Sequence, residues 1–163
     1  MSTSSEPPAV PGFNGLVDLS HHNPVADWTA LRRAGIVGVI HKATEGATFR
    51  DKTFRERRDK ARAAGLLWGS YHFSSGLPPA DQVANYLDWA DPAHDELIAL
   101  DYEPSTAGRT MTVFGMVEFV ERIAEATGRL PVIYGGHLIR EAAAELDAFA
   151  GGPDGADADA EVG

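Results

Sequence analysis

Short apolar runs alternate along the chain with longer segments in which apolar positions recur at helical spacing. The apolar runs predict strands at residues 16–19, 36–40, 66–73, 96–101 and 131–134. The longer segments predict helices at residues 25–34, 52–64, 79–89, 112–127 and 138–149. Strands that alternate with helices of this length are typical of parallel sheets joined by right-handed crossovers. The pattern therefore predicts an α/β fold, built either as a barrel or as a doubly wound sheet.

Polar side chains stand at the carboxyl end of every predicted strand. They are Asp18, Ser20 and His21, then His41 and Lys42, Tyr71 and His72, Asp101 and Glu103, and Tyr134. In a barrel these ends converge on one mouth, where the active sites of barrels lie. A doubly wound sheet usually carries a glycine-rich phosphate turn instead, and neither G-x-G-x-x-G nor G-x-x-x-x-G-K-[ST] occurs in the chain. The strand ends therefore favour the barrel.

The most informative strand end carries two carboxylates. The apolar run that begins at Leu97 ends in Asp101 and Glu103, with Tyr102 between them. Because strand side chains alternate between faces, both carboxylates should point the same way, with Cβ atoms roughly 6–7 Å apart. Such a pair can protonate a leaving group and stabilise the cation left behind, as glycosidases do. The alternative is that the two carboxylates only cap the strand or bind loop amides.

Composition limits the kinds of partner and binding site that the chain can have. The chain has 163 residues, no cysteine and a formal net charge of −10. That length suits one domain, and the lack of cysteine excludes a disulfide framework and thiolate metal sites. The acidic excess argues against a nucleic-acid partner. No apolar run is long enough to cross a membrane, so membrane insertion is not expected.

The chain divides into three parts by composition. Residues 1–14 are polar and proline-rich, lack the features of a signal peptide and are predicted to be disordered. Residues 15–149 contain the predicted strands and helices. Residues 150–163 form an acidic, small-residue tail that is also predicted to be disordered.

Five segments together resemble glycoside hydrolase family 25, the Chalaropsis-type lysozymes. In the family's order and spacing, they are GLVDLSHHN, HKATEGATFRDKTF, AAGLLWGSYHF, ALDYEPS and TGRLPVIYGG. The resemblance implies a TIM-like (β/α)5β3 barrel and hydrolysis of the β-1,4 bond between N-acetylmuramic acid and N-acetylglucosamine. Family members continue after the fifth strand with further strands, so the barrel is expected to be incomplete at its C-terminal side, with open edges beside strands one and five.

The resemblance and the chemistry together suggest roles for three carboxylates. Glu103 is expected to be the general acid, because a carboxyl at an apolar strand end near other carboxylates should have a raised pKa and keep its proton. Asp101 is its expected partner, either as the nucleophile or by orienting the substrate's own acetamido group, and this choice stays open. Asp18 is expected across the same mouth, where its charge would help to keep Glu103 protonated.

The remaining polar strand-end residues are candidate sugar-binding residues. They are His21, Lys42, Glu45, Tyr71 and Tyr134. Lys42 and Glu45 could instead form an ion pair that supports a loop, and either tyrosine could be a half-buried core residue. A metal site built from His21, His22, His72 and Asp101 is a further alternative. It is not expected, because no H-x-H or H-E-x-x-H spacing occurs and adjacent strand histidines point in opposite directions.

The expected function is thus a monomeric, cofactor-free lysozyme with peptidoglycan as its partner. It would act on the cell wall, either outside the cell or after phage-type release. An inactive remnant or a wall-binding module is the main alternative, and a metal-dependent hydrolase is the third. A basic cluster in the second predicted helix is expected to be a solvated helix face, made of Arg55, Arg57, Arg58, Lys60 and Arg62.

Overall fold

The computed structural model describes residues 15–106 and 108–151 as one sheet with its helices packed against one face. The strands are β1 (Leu16–Leu19), β2 (Gly38–Glu45), β3 (Phe49–Arg50), β4 (Leu67–Phe73), β5 (Leu97–Asp101) and β6 (Val132–Tyr134). The helices are α1 (Trp28–Arg33), α2 (Phe54–Ala63), α3 (Pro79–Ala90), α4 (Val113–Thr127) and α5 (Gly136–Ala150). The disorder predicted for residues 1–14 and for the tail from residue 152 lies outside the described residues.

The sheet is parallel except at one hairpin. Its order is β1-β2-β4-β5-β6, with every neighbouring pair on this path parallel, and β3 pairs antiparallel with β2. Residues of β1 and β6, the two ends of this path, line the same cavity. The sheet therefore curls into a half-barrel that, over the described residues, is open between β1 and β6. This confirms the α/β prediction and the incomplete barrel.

The two faces of the curled sheet differ in burial. Outward-facing side chains such as Val39, Trp68 and Leu100 are buried against the helices. On the concave face the apolar side chains nearest the amino ends of the strands are open to solvent, from 39% exposure at Leu97 to 67% at Leu67. Parallel sheets normally bury both faces, so this exposed apolar layer is the structural signature of the open barrel.

Helices α1 and α4 begin at capping side chains, although α1 begins at Trp28 rather than at residue 25 as predicted. The Asp27 side chain accepts from the Ala30 N–H at the start of α1, and the Thr112 side chain accepts from the Gly115 N–H at the start of α4. At the end of α4, Gly128 adopts the left-handed conformation with φ of 70°. None of the helices within the described ranges is long and apolar enough to cross a membrane.

The hairpin at β3 was not predicted. The sequence pattern ends the second strand at residue 40, whereas β2 continues to Glu45 and turns at Gly46, where φ is +52°. Glu45 and Phe49 then face each other across the hairpin. As a result the predicted loop segment around Lys42 is a strand, and its side chains have fixed directions.

The basic cluster of α2 is a solvated face only in part, since Arg55, Lys60 and Arg62 are exposed whereas Arg57 and Arg58 are half-buried. Arg58 Nε and Arg62 Nη1 bind the carboxylate of Glu96 at 2.8 Å and 2.7 Å, and Glu96 is buried. Arg57 Nη1 donates to the Ser20 carbonyl at 2.7 Å. A buried carboxylate requires such partners, so these arginines attach α2 to the segment before β5 and to the loop after β1.

A close backbone contact holds β5 against β6. The Tyr102 N–H donates to the Tyr134 carbonyl at 2.6 Å, one residue beyond the end of β5. A Cβ atom at Gly135 would lie 2.0 Å from the Tyr102 carbonyl oxygen, which is impossible without moving the backbone. A Cβ atom at the next residue, Gly136, would have no neighbour within 4 Å.

We expect Gly135→Ala to separate the ends of β5 and β6 and to lower the free energy of unfolding by about 1–3 kcal/mol, as overpacking typically does. Gly136→Ala is the matched control and should leave stability unchanged or slightly higher, because alanine is favoured inside a helix. Urea unfolding of both variants measures the difference. Equal stability of the two variants would contradict the close-contact argument.

Candidate active site

The carboxyl ends of the strands open onto a cavity of about 570 Å³ on the concave face. Its floor is apolar, with Ile40 and Ala99 among the lining residues. Its polar side chains come from four strands: Asp18 on β1, Tyr71 on β4, Asp101 on β5 and Tyr134 on β6. Four residues predicted from strand ends are therefore brought together at one mouth.

Asp101, the last residue of β5, faces the cavity because of strand alternation. The next residue, Tyr102, is buried in the core on the helix-covered side, and Glu103 follows it beyond the end of the strand. Asp101 lines the cavity directly, and its Oδ1 atom is buried without a hydrogen-bond partner in the described part of the chain. A buried carboxylate oxygen of this kind is costly and is typical of functional sites.

Asp101 has a strongly perturbed pKa. The pKa of Asp101 is raised to about 7, first by burial and then by the charge of Glu103. The cation of Lys42 opposes this effect, whereas the charges of Asp18 and Glu45 add to it. The raised pKa belongs to the residue that closes the apolar strand.

Lys42 and Glu45 form an ion pair on β2. Lys42 Nζ donates to Glu45 Oε2, and both side chains are largely buried. The ammonium group also lies 4.9 Å from the ring centre of Phe73 and 5.3 Å from that of Phe49. The predicted pair is therefore present, but it stands on a strand beside the mouth and acts electrostatically on Asp101.

The two tyrosines occupy different environments. Tyr71 is half-buried, and burial together with the charge of Asp101 raises its pKa, so its hydroxyl keeps its proton and can donate. Tyr134 lines the same cavity but is largely exposed, which rules out the core position considered for it. One cavity thus offers a fixed hydroxyl donor and an accessible aromatic ring.

The histidines do not assemble into a metal site with Asp101. His72 is fully buried on the helix-covered side, where Nδ1 is 2.8 Å from Thr44 Oγ1 and Nε2 is 3.1 Å from Gln82 Oε1. Burial lowers the pKa of His72 to about 4, so the ring is neutral. Asp101 faces the opposite side of the sheet, which separates these two members of the set.

His21 lies outside the cavity lining and has a partner that the sequence reasoning missed. Its backbone N–H and ring Nδ1 both bind Asp51 Oδ2, at 2.8 Å and 3.1 Å. Asp51 follows β3 and is buried. No local signal reveals it, because β3 is only two residues long and Asp51 lies 30 positions from His21.

Comparison with known proteins identifies the family. The sequence model of glycosyl hydrolases family 25 matches residues 17–146. The chain belongs to this family. Lysozyme M1 of Streptomyces globisporus is 35% identical over 79 residues, and the N,O-diacetylmuramidase of Arthroderma benhamiae is 28% identical over 138 residues. A family 25 lysozyme structure from Aspergillus fumigatus superposes with a TM-score of 0.62 at 32% identity.

The chain spans less than two thirds of the length of these family 25 relatives. The aligned part covers 45% of this chain and 26% of the Streptomyces protein, and 77% of this chain and 57% of the Arthroderma protein. The superposition with the Aspergillus structure includes 72% of this chain and 63% of that structure. The family match over residues 17–146 contains strands β2 to β6 together with Asp101 and Glu103.

We expect the pKa of Asp101 to respond in opposite directions to its two strongest charged neighbours. Glu103→Gln should lower it, because a like charge is lost, and Lys42→Met should raise it, because the opposing cation is lost. Titration of the Asp101 carboxyl carbon by NMR measures both shifts. Lys60→Met, on the exposed face of α2, is the control and should leave the titration unchanged.

We also expect Asp101→Asn to stabilise the protein at high pH. The folded state holds a proton at Asp101 up to a pKa of about 7, whereas an unfolded aspartate releases it near 3.8, so this group lowers stability as pH rises from about 4 to 7. The gain at pH 8 should be about 1–3 kcal/mol and should vanish near pH 4. Urea unfolding at both pH values tests this, and a larger gain at pH 4 would contradict it.

Proposed function

We propose that this chain is a muramidase that hydrolyses the β-1,4 bond between N-acetylmuramic acid and N-acetylglucosamine in peptidoglycan. The observation that carries the proposal is the position of Asp101, which lines the cavity together with Asp18 and is influenced electrostatically by Glu103, two residues further along the chain. Membership of glycosyl hydrolases family 25 supports it, and so do the lysozyme and muramidase names of the relatives. No other chemistry accounts as well for several carboxylates around an apolar-floored cavity.

In the proposed reaction Glu103 donates a proton to the glycosidic oxygen as the bond from that oxygen to the anomeric carbon breaks. Asp101 stabilises the positive charge that develops, either by attacking the anomeric carbon or by orienting the acetamido group that does so. Water then adds to the anomeric carbon and returns a proton to Glu103. The reaction leaves one new reducing end and one new free hydroxyl.

The proposed reaction needs a form of the mouth with the proton on Glu103 and the charge on Asp101. The charge of Glu103 raises the pKa of Asp101, and this effect is absent when Glu103 carries the proton. Lys42 favours this form because its cation stabilises the Asp101 carboxylate. Asp18 adds negative charge to the cavity and so stabilises the developing cation.

The remaining lining residues suit a sugar chain. The Tyr71 hydroxyl can donate to a ring substituent, and the exposed ring of Tyr134 can stack on a sugar face. Glu45 and Lys42 present a polar edge beside the mouth, whereas His21 lies outside the cavity lining and binds Asp51. The apolar floor matches the C–H faces of a pyranose.

Every side chain in this arrangement belongs to one chain, and we therefore propose a monomer as the working unit. Its partner is peptidoglycan rather than nucleic acid or a membrane, and its place of action is the cell wall. No cofactor is required, since proton transfer and charge stabilisation by carboxylates suffice for glycoside hydrolysis.

We expect Glu103→Gln and Asp101→Asn each to reduce turnover of purified peptidoglycan by about 10²–10⁴-fold, the range for loss of a positioned acid–base group. Glu56→Gln, on the exposed surface of α2, is the matched control and should retain full activity. Released reducing ends and the turbidity of a cell-wall suspension are the measurements.

Retention of activity in both β5 variants would refute the assignment of these residues. Co-sedimentation of the unaltered protein with peptidoglycan, without release of reducing ends, would instead favour a wall-binding module. The stability expected of Asp101→Asn makes this variant a clean test, since a loss of activity could not be attributed to unfolding.

A further inference from the structure

A buried carboxylate outside the cavity has no role in the proposed reaction. Asp51 is 1% exposed, and both of its oxygens are fully engaged. Oδ2 accepts from the backbone N–H and ring Nδ1 of His21, and Oδ1 accepts from the backbone N–H and hydroxyl of Thr53, at 2.9 Å and 2.7 Å. Burial alone would raise the pKa of Asp51, but these hydrogen bonds lower it below its usual value.

An ionised Asp51 determines the state of the His21 ring. The carboxylate has no proton to give, so Nδ1 of His21 must carry the hydrogen and donate it. In the neutral ring Nε2 is then an acceptor. The side chain is 36% exposed, and within the described residues Nε2 has no hydrogen-bond partner. The buried aspartate thus holds an accessible imidazole in one tautomer and one orientation.

An exposed aromatic ring stands beside this imidazole. The Phe49 ring centre on β3 lies 5.8 Å from that of His21, and Phe49 is 40% exposed. The other neighbour of Phe49 is the Lys42 ammonium group, whose charge acts on Asp101. His21, Phe49 and Lys42 therefore form a continuous rim that leads from the loop after β1 to the catalytic mouth.

We propose that His21 and Phe49 form a separate glycan subsite on this rim, and that Asp51 is its positioning residue. A pyranose ring would place a C–H face on Phe49 and donate a hydroxyl or amide N–H to His21 Nε2. The subsite rests on the proposed function, since it binds a further sugar of the same glycan that is cleaved in the cavity. Asp51 acts only through His21 and does not contact the sugar.

Binding measurements in a Glu103→Gln background test the subsite apart from catalysis. The probes are solubilised peptidoglycan glycans of two, four and six sugars, titrated calorimetrically. The variant His21→Asn keeps a donor toward Asp51 but has no Nε2. We expect it to weaken binding of the longest glycan by about 3–10-fold, which is the loss of affinity expected when one hydrogen bond is removed. Phe49→Leu should weaken it similarly, and both variants should bind the two-sugar glycan within twofold of the parent.

A separate measurement tests the positioning role of Asp51. In Asp51→Asn the negative charge that holds the proton on Nδ1 is lost, so the fraction of His21 rings with the proton on Nε2 should rise, which turns the acceptor into a donor. The ¹⁵N shifts of the His21 ring report this tautomer directly. Affinity for the six-sugar glycan should fall as in His21→Asn, and the double variant should be no weaker than either single one.

Thr53→Val is the matched control. It removes a hydrogen bond to the other oxygen of the same carboxylate and should leave the His21 tautomer and glycan affinity unchanged. Should Asp51→Asn fail to fold, His21→Asn and Phe49→Leu still decide whether the subsite exists.

The outcomes separate this proposal from the proposed reaction. Length-dependent binding that requires His21 and Phe49 supports the subsite, even if the unaltered protein releases no reducing ends. Equal affinity of parent and both variants for the six-sugar glycan overturns the subsite, whether or not the protein cleaves peptidoglycan. An unchanged His21 tautomer in Asp51→Asn overturns the positioning role.

Discussion

The alternation of side chains along β5 is the constraint on which the structure and its chemistry depend. Leu100 is buried against the helices, so the next residue, Asp101, must face the concave side. A slip of one residue would place this carboxylate in the apolar core and an apolar side chain at the mouth. The register is held by parallel pairing with β4 and β6 and by the close approach of Gly135 to the Tyr102 carbonyl.

The carboxylates at this mouth serve the proposed chemistry but lower the stability of the folded protein. Asp101 is half-buried among like charges, and one of its oxygens has no hydrogen-bond partner in the part of the chain that the structure describes, which the fold alone would not favour. Lys42 offsets part of this repulsion, and the rings of Phe49 and Phe73 shield its ammonium group. Destabilised charges of this kind are commonly retained where chemistry requires them.

The sequence predicted elements and residues whose signal is local. All five predicted helices and all five predicted strands are present, because each is long enough to show its own apolar period. Asp18 and Asp101 could be placed at one mouth because parallel strands end on the same side of a sheet. Their proposed roles came from a family resemblance, which composition alone would not have supplied.

What the sequence did not reveal depends on distant partners. The two-residue strand β3 is too short to show alternation. In the sequence, Asp51 resembles an ordinary acidic residue before a helix. Its burial is explained by its contact with His21, which lies 30 positions earlier. From the sequence, Arg58 and Arg62 of α2 are predicted to be solvated, because their partner Glu96 lies 38 residues beyond Arg58 and gives no local signal.

The open edges of the half-barrel have a further consequence. Asp18 lies on β1, which has a single strand neighbour among the described residues, whereas Asp101 lies between two strands. Edges open before interiors, so heat should separate the carboxylates of the mouth while most of the fold persists, and inactivation should precede melting.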